Sequence, residues 1–373
     1  MVTNVKQSPV NNPQSAIRNP QSLLPVPPHF DASKTDKVWP VDYLMLERNG
    51  EAWAKAHDIA PAASDTIRTA LILIDVQITF CTPGFELFVG GRSGRGAVED
   101  NVRLCEFIYR NMKQITRIFP TMDTHTQFQV FHPLFWVNDA GEHPAPYTMI
   151  THADVAGGVW KVNPRATYSL GGNYLALQKH VEYYTEQLDR SGKYALIVWP
   201  PHAMLGGIGH ALVPSVHEAV EFFNAARASQ TGFEIKGAHP LTENYSVLSP
   251  EVTTTTGGAP LPNANKNYKF IEKLIDSASS FDVIGITGQA LSHCVAWTID
   301  DLLKDIVQKD PEAASKVHII RDCSSPVVTP GYDFTDDAEA ALRRFEDAGM
   351  RIVRSTDPIV EWPGYLEAVR KNA

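Results

Sequence analysis

The chain has little cysteine, and none of it has the spacing of a metal or disulfide framework. Its 373 residues include four cysteines: Cys81, Cys105, Cys294 and Cys323. No two of them form a C-x-x-C pair, which thiolate zinc sites and many disulfide scaffolds contain. We therefore predict reduced thiols, as in a cytoplasmic protein.

Dense basic runs and long apolar runs are also missing. The net charge is −9 and the pI is near 5.8, which argues against nucleic acid or an anionic membrane as a general partner. No apolar run approaches the ~18 residues needed to span a bilayer, and the N-terminus lacks a basic-then-apolar signal. These absences favour a cytoplasmic protein that acts on a small molecule.

Residues 1–40 are rich in Pro, Asn, Gln and Ser and have no periodic apolar face. This arm could be disordered, or it could lie across its own domain or a neighbouring subunit, since Leu23, Leu24, Val26 and Phe30 offer apolar surface. A short helix is predicted over 41–56. We expect an N-terminal extension over 1–65 and one domain over 66–373.

Apolar runs of strand length recur near residues 70, 118, 196, 234, 284 and 318, mostly with helical patterns between them. This alternation predicts an α/β domain with a largely parallel sheet and helices on both faces. Such sheets place their functional sites at the carboxyl ends of the strands. Polar residues at those ends are therefore the first candidates.

Cys294 follows the predicted strand 282–287 and precedes a helix that begins at Val295. A thiol at a helix N-terminus has a lowered pKa and lies beside unpaired backbone N–H groups, which suits a nucleophile. A buried cysteine that packs as a small apolar residue explains the same pattern. From these residues alone, both interpretations stay open.

Three further strand ends carry polar residues. Asp75 ends the apolar run 69–76, where it could face a site or cap the next loop. Asp123 and His125 follow strand 117–122 and point to one side, which suits a shared metal ion, although D-x-H alone is a weak signal. Lys236 ends the short strand 233–236, and most lysines are solvated surface groups.

Five motifs, taken together, resemble those of the isochorismatase-like cysteine hydrolases, the superfamily of the nicotinamidases. The resemblance covers about residues 68–355. The matching segments are Asp75-Val-Gln-Ile-Thr-Phe80, Asp123-Thr-His125, Trp199-Pro-Pro-His202 with Gly206 and Gly209, Lys236-Gly with Tyr245 and Ser246, and Gly288-x-Ala290 with Cys294, Val295 and Thr298. Ala203, Gly207 and His210 depart from the nicotinamidase pattern, and His132 is displaced from it, so its role stays open.

The resemblance implies a catalytic set of Asp75, Lys236 and Cys294. Asp75 would be the acid/base, and the Lys236 ammonium would favour the thiolate and neutralise the developing oxyanion. The backbone N–H groups of Ala290 and Cys294 would form the oxyanion hole. In the family a cis peptide precedes the alanine position, which corresponds to the Gln289–Ala290 bond.

The resemblance also implies a divalent metal, either zinc, iron or manganese, bound by Asp123, His125 and His202. An Asp-His-His set leaves coordination positions open for water or substrate. Phe80 and Trp199 would contact the substrate.

The implied function is a cysteine hydrolase that cleaves a small amide to acid and ammonia through a thioester, as nicotinamidases do. Two alternatives stay open: an amidase for an acyclic amide or carbamoyl compound, and a non-catalytic binding protein of the same fold. The insertion over 135–193 is aromatic and is expected to form a lid over the site. We also expect a homo-oligomer, with the arm 1–40 packed on a neighbouring subunit.

Overall fold

Parallel strands organise the computed structural model, which describes residues 23–192, 194–275 and 281–372. The strands in these ranges are β1 Thr69–Ile74, β2 Arg117–Asp123, β3 Trp136–Val137, β4 Met149–Ile150, β5 Lys161–Val162, β6 Leu196–Ile197, β7 Glu234–Lys236, β8 Val283–Gly288, β9 Val317–Ile320, β10 Val328–Thr329, β11 Tyr332–Asp333 and β12 Arg351–Val353. Within the described residues, six of them form the central sheet in the order β12-β9-β8-β1-β2-β7, and all its pairs are parallel.

Helices connect these strands. They are α1 Tyr43–Ala56, α2 Ile78–Cys81, α3 Gly96–Arg110, α4 His152–Ala156, α5 Ala166–Leu170, α6 Tyr174–Ser191, α7 Pro214–Arg227, α8 Tyr268–Ile275, α9 Ala296–Lys309, α10 Thr335–Asp347 and α11 Pro363–Asn372. Their starts follow local chemistry: the Asp42 carboxylate accepts a hydrogen bond from the Met45 N–H at the start of α1, and α7 begins with Pro214. No helix in the described ranges is long and apolar enough to cross a membrane.

The core lies on both faces of the sheet. β1 is buried along its whole length, as expected for an apolar strand in the middle of a parallel sheet. Leu71 and Leu73 pack in one apolar cluster together with α3 and α7, whereas Ile72 and Ile74 pack in another together with α8, α9 and α10. The predicted α/β fold with helices on both faces is confirmed.

The strand predicted near residue 196 was misplaced. β6 pairs antiparallel with β4 of the insertion and does not join the central sheet, because β7 occupies the edge of β2. The sixth place in the sheet belongs to β12, which pairs with β9 at the opposite edge. A short apolar run predicts a strand but does not identify its partner.

The described part of the N-terminal arm packs on its own domain. Leu24 is buried and its N–H donates to the Arg110 carbonyl oxygen at 3.0 Å. Val26 and Phe30 pack against the same core, and the Phe30 ring lies 5.6 Å from that of Tyr109. For these residues the expected packing on a neighbouring subunit is wrong, because their apolar side chains pack on the core of their own chain. Residues 1–22 of the arm lie outside the described residues, and the homo-oligomer stays a prediction.

His318, a buried histidine in β9, contacts the start of α11, and its hydrogen bonds require the neutral form of the imidazole. The Gly364 N–H donates to Nε2 of His318 at 3.3 Å, and Nδ1 lies 3.0 Å from the Lys316 carbonyl oxygen. The imidazole is therefore neutral, with Nδ1 as donor and Nε2 as acceptor. Its ring stacks on Trp362 at 4.8 Å. Burial lowers the pKa of His318 to about 4.

This geometry predicts acid destabilisation through His318. In the unfolded chain a histidine has a pKa of about 6.5, so the unfolded state binds more protons between pH 6.5 and pH 4 and stability falls as the pH falls through that window. From pH 7 to pH 5, the wild type should lose about 2 kcal/mol more unfolding free energy than His318→Gln. Urea denaturation at both pH values measures the difference, and an equal loss in both proteins would contradict the assignment.

Candidate active site

The chain around Cys294 forms the tip of β8 and the start of α9. Gly288 ends β8 with a φ of 124°, and a Cβ at this position would overlap the backbone of Ile74. The Gln289–Ala290 peptide bond is cis, as predicted. Residues Leu291–Val295 then form one π-type turn that continues into α9, which places Cys294 in the turn with 7% of its surface exposed.

Cys294, Lys236 and Asp75 meet at the carboxyl end of the sheet. The Lys236 ammonium lies 3.6 Å from the Cys294 Sγ and 2.9 Å from Oδ2 of Asp75. Each of the three is less than one-tenth exposed. The sequence placed these residues at three separate strand ends, and the fold brings them together.

Asp75 is held in place by its neighbour on β2. Its N–H donates to the Thr121 hydroxyl at 3.0 Å, and that hydroxyl donates to Oδ1 of Asp75 at 2.5 Å. Its φ is 47°, a left-handed conformation that non-glycine residues rarely adopt and that often occurs at functional sites. The alternative that Asp75 caps the next loop does not hold, since its carboxylate faces Thr121 and Lys236.

The pKa values of the three groups reflect burial and mutual charge. Burial raises the pKa of the Asp75 carboxyl, although Lys236 opposes this effect. Burial lowers the pKa of Lys236, but Asp123 and Asp75 outweigh it and hold that pKa well above its usual value. Burial also raises the pKa of the Cys294 thiol well above its ordinary value, more than Lys236 lowers it. The lowered thiol pKa expected from the sequence is therefore wrong, because the site is too deeply buried.

Asp123, His125 and His202 form a compact set of possible metal ligands. One ligand atom from each lies within 4.8 Å of the others. Nδ1 of His125 lies 3.0 Å from the Gly237 carbonyl oxygen and Nδ1 of His202 lies 2.8 Å from that of Pro200. These contacts leave both Nε2 atoms facing Oδ2 of Asp123, at 2.9 and 3.7 Å. Buried nitrogen and carboxylate donors, oriented by backbone carbonyls, suit a divalent transition metal.

Neighbouring groups fix the Asp123 end of β2. The Gln77 side chain accepts from the Asp123 N–H at 2.8 Å and donates to the Asp123 carbonyl oxygen at 2.8 Å. Gly237 has a φ of 83°, and a Cβ there would overlap Oδ1 of Asp123 and the His125 ring. Only glycine at position 237 therefore leaves room for the Asp123 and His125 side chains in their observed positions.

His132, whose role the sequence left open, lies beside this set. Its ring centroid is 5.7 Å from that of His125 and 5.9 Å from that of His202. Burial lowers its pKa to about 3, and within the described part of the chain its buried Nε2 has no hydrogen-bond partner. The sequence could not show that His132 lies close to His125 and His202, because the conformation of the loop between His125 and His132 determines its position.

A pocket opens above Cys294. With its mouth, it encloses about 400 Å³ of space not occupied by atoms. Its walls are formed by Phe80, Leu87, Val89, Asp123, Trp199, His202, Glu243, Tyr245, Ala290, His293, Cys294 and Val327. Phe80 and Trp199 thus lie where the sequence analysis expected substrate contacts. Two buried ionisable residues in the wall, Glu243 and His293, were missed. Nothing in the local sequence distinguishes Glu243 from a surface residue, whereas the place of His293 directly before Cys294 was a signal that could have found it.

The insertion does not cover this pocket. Among the described residues, no side chain from 135–192 lines it. Instead α6 supports the loop that carries Glu243: the Glu243 N–H donates to the Tyr184 hydroxyl at 3.3 Å, and Nε2 of His180 lies 2.9 Å from the Leu241 carbonyl oxygen. The expectation of a lid is wrong because the aromatic residues of α6 are buried against this loop, behind the pocket wall.

No family model matches the chain, and no curated protein matches it. Among solved structures, the chain is similar to the Acinetobacter baumanii nicotinamidase/pyrazinamidase, with 18% identity, 78% of this chain and 97% of that chain covered, and a TM-score of 0.46. It is also similar to the yeast nicotinamidase, with 19% identity, 76% and 99% coverage and a TM-score of 0.47. For the pyrazinamidase of Pyrococcus horikoshii in complex with zinc, the values are 17%, 77%, 98% and 0.39. The sequence motifs at Asp75, Asp123, His202, Lys236 and Cys294 resemble those of the nicotinamidases.

The ligand set predicts a bound metal. Protein purified without chelator should contain about one equivalent of a divalent transition metal, measured by elemental analysis. His202→Ala should lose most of it and stay folded by circular dichroism, because three ligands at the rim of a large core are not needed for folding. His217→Ala, which removes a partly exposed histidine that is not one of the proposed ligands, is the control. Metal absent from the wild type, or retained in full by His202→Ala, would contradict the site.

Proposed function

We propose that the protein is a cysteine hydrolase that cleaves a small amide to a carboxylic acid and ammonia through a thioester. The proposal rests on the buried contact of Lys236 with both Cys294 and Asp75 at the base of an apolar pocket. A nucleophile, a base and a fixed positive charge within direct contact are what acyl transfer requires. A binding protein of the same fold would have no need for this arrangement.

In the first half of the reaction, the Cys294 Sγ attacks the amide carbonyl carbon and its proton passes to Asp75. The raised pKa of Asp75 suits it to accept and later release this proton. The negative charge on the carbonyl oxygen would be stabilised by the N–H groups of Ala290 and Cys294. Asp75 then protonates the departing nitrogen and the C–N bond breaks. Ammonia is released, and the acyl group remains bound to Cys294 as a thioester.

In the second half, Asp75 accepts a proton from water as the water oxygen attacks the thioester carbonyl. The C–S bond breaks, the acid is released, and the thiol regains its proton. Lys236 remains protonated throughout, because Asp75 and Asp123 both hold its pKa high. Its positive charge stabilises the sulfur when the thiol proton has left.

Two of the three proposed metal ligands, Asp123 and His202, line the pocket. Asp123, His125 and His202 would hold zinc, iron or manganese, which supplies an open coordination position for a substrate atom or water. Lys236 lies 3.0 Å from Oδ1 of Asp123, so the same lysine orients the metal-binding carboxylate and the catalytic carboxylate.

The walls of the pocket favour an aromatic amide over an acyclic one. Phe80 and Trp199 present rings to the pocket, and planar ligands gain dispersion and stacking contacts with such rings. A carboxylate-bearing carbamoyl compound would need a cation to receive it. In the described pocket wall no arginine or lysine is present, and Lys236 beneath it is already paired with two carboxylates, so only the proposed metal would serve as that cation.

Replacement of the nucleophile tests the proposal. Cys294→Ala should lower ammonia release from nicotinamide by about 10⁴-fold or more, because no other group can form the acyl-enzyme. Cys323→Ala, a control at another buried cysteine, should stay within about threefold of the wild type. Thermal unfolding of both variants verifies the fold. Retained turnover in Cys294→Ala, or loss in Cys323→Ala alone, would overturn the mechanism.

A further inference from the structure

A buried glutamine directly precedes Ala290, the proposed oxyanion donor, and the proposed reaction does not use it. Gln289 has 1% of its surface exposed, and its N–H donates to the Ile74 carbonyl oxygen at the end of β1, at 2.8 Å. A buried amide side chain must find partners for both its donor and its acceptor, and an apolar side chain would avoid that requirement. The partners of Gln289 therefore indicate what the amide does.

The Gln289 amide joins two segments that are far apart in the chain. Its Nε2 donates to Oδ2 of Asp100 at 2.9 Å, and its Oε1 accepts from the Ser325 N–H at 3.2 Å. A backbone N–H can only donate, so Ser325 fixes which end of the amide is the oxygen. The side chain thus links α3 to the loop that follows β9.

Ser325 binds the nucleophile turn on both sides of Ala290. Its N–H donates to the Gln289 side chain, and its carbonyl oxygen accepts from the Leu291 N–H at 2.8 Å. The peptide plane that carries the Ala290 N–H begins at Gln289, and the next plane ends at Leu291. The direction of the Ala290 N–H is therefore fixed by residues that a single neighbouring loop holds in place.

Asp100 is a firmly held partner for the amide. It lies in the second turn of α3 and is 2% exposed, and its Oδ1 accepts from the Arg103 guanidinium at 2.8 Å. Arg103 also donates to the Asp322 carbonyl oxygen, in the segment that leads to Ser325. Hydrogen bonds to a carboxylate are stronger than those between neutral groups. The turn is thus attached to a helix of the core and not only to a loop.

We propose that Gln289 is a positioning residue which, with Asp100 and Ser325, holds the Ala290 N–H in the direction that stabilises the oxyanion. This inference rests on the proposed function. A donor of this kind is effective when it is already fixed at about 3 Å from the point where negative charge develops. Within the described residues Gln289 is not part of the pocket wall, so it acts through Ala290 and not by contact with the substrate.

Replacement of the amide tests this role. Gln289→Met keeps the length of the side chain and removes both hydrogen bonds, so kcat for ammonia release from nicotinamide should fall about 10- to 100-fold while KM stays within about threefold. Asp100→Leu should have the same effect. The double variant should lose no more kcat than either single variant, because all three lack the same hydrogen bond. In Asp100→Asn the side-chain oxygen can still accept from Gln289, so most of kcat should remain.

Asn111→Leu is the matched control for a purely structural role. Asn111 is another buried amide, directly after α3: its Nδ2 donates to the Phe107 carbonyl oxygen and its Oδ1 accepts from the Ile359 N–H, both at 3.0 Å. Its replacement should lower the unfolding temperature as Gln289→Met does and leave kcat within about twofold. Should Gln289→Met not fold, Gln289→Asn takes its place with the same expected split, because its shorter amide cannot reach both partners.

Three kinetic results would overturn the inference. One is a kcat in Gln289→Met no lower than in Asn111→Leu. Another is a rise in KM as large as the fall in kcat, which would mean that the amide supports substrate binding. The third is additive losses in the double variant, which would mean that Gln289 and Asp100 act separately.

An aldehyde separates this inference from the proposed function. Addition of the Cys294 thiol across the C=O bond of pyridine-3-carboxaldehyde forms a C–S bond, moves the thiol proton to the oxygen and needs no leaving group. The adduct places that oxygen at the oxyanion position, whereas pyridine-3-methanol forms no adduct. By calorimetry the wild type should bind the aldehyde at least about 10-fold more tightly than the alcohol, and Gln289→Met should lose about 10-fold on the aldehyde alone.

The two failures then differ. A wild type that binds the aldehyde no more tightly than the alcohol would contradict the proposed function, on which the inference rests. A wild type with the preference, and a folded Gln289→Met that keeps it undiminished, would contradict the inference and leave the proposed function standing.

Discussion

The rest of the site depends on one buried ammonium group placed between two buried carboxylates. Lys236 lies 2.9 Å from Asp75 and 3.0 Å from Asp123, and all three side chains are at most 4% exposed. Two carboxylates this close in a dry environment repel each other and lose hydration. The lysine favours the ionised form of both, and His125 does the same for Asp123. Removal of one member of such a set typically destabilises a protein by about 3–5 kcal/mol, because a buried charge is left without its partner.

The sheet creates this contact. Asp75 follows β1, Asp123 ends β2 and Lys236 ends β7, and these three strands are neighbours. In the register of β2 with β7, Asp123 and Lys236 are direct partners. Parallel strands that end at one level place their last side chains side by side, and the inserted residues between them do not alter that geometry.

The shared lysine also couples two chemical functions. Asp123 directs Oδ1 to Lys236 and Oδ2 to the histidines, so one carboxylate contributes to both the catalytic set and the metal-ligand set. Any change in the charge at the metal ligands therefore acts on the pKa of Lys236, and through it on Asp75 and Cys294.

The sequence by itself determined the alternation of elements and the identity of the polar residues at the strand ends. Asp75, Asp123, Lys236 and Cys294 were candidates because short apolar runs end near them, and a local pattern of this kind survives in any arrangement of the strands. Their roles, and those of His125 and His202, were predicted from the resemblance of the motifs to those of the isochorismatase-like cysteine hydrolases. Only the tertiary structure decided what depends on contacts between distant segments. It paired Leu196–Ile197 with the insertion rather than the sheet, and it folded α6 behind the loop of Glu243. It also buried Cys294 deeply enough to raise its pKa and enclosed His293 in aromatic rings. Burial and long-range pairing arise from the packing of the whole chain, which no local stretch of sequence encodes.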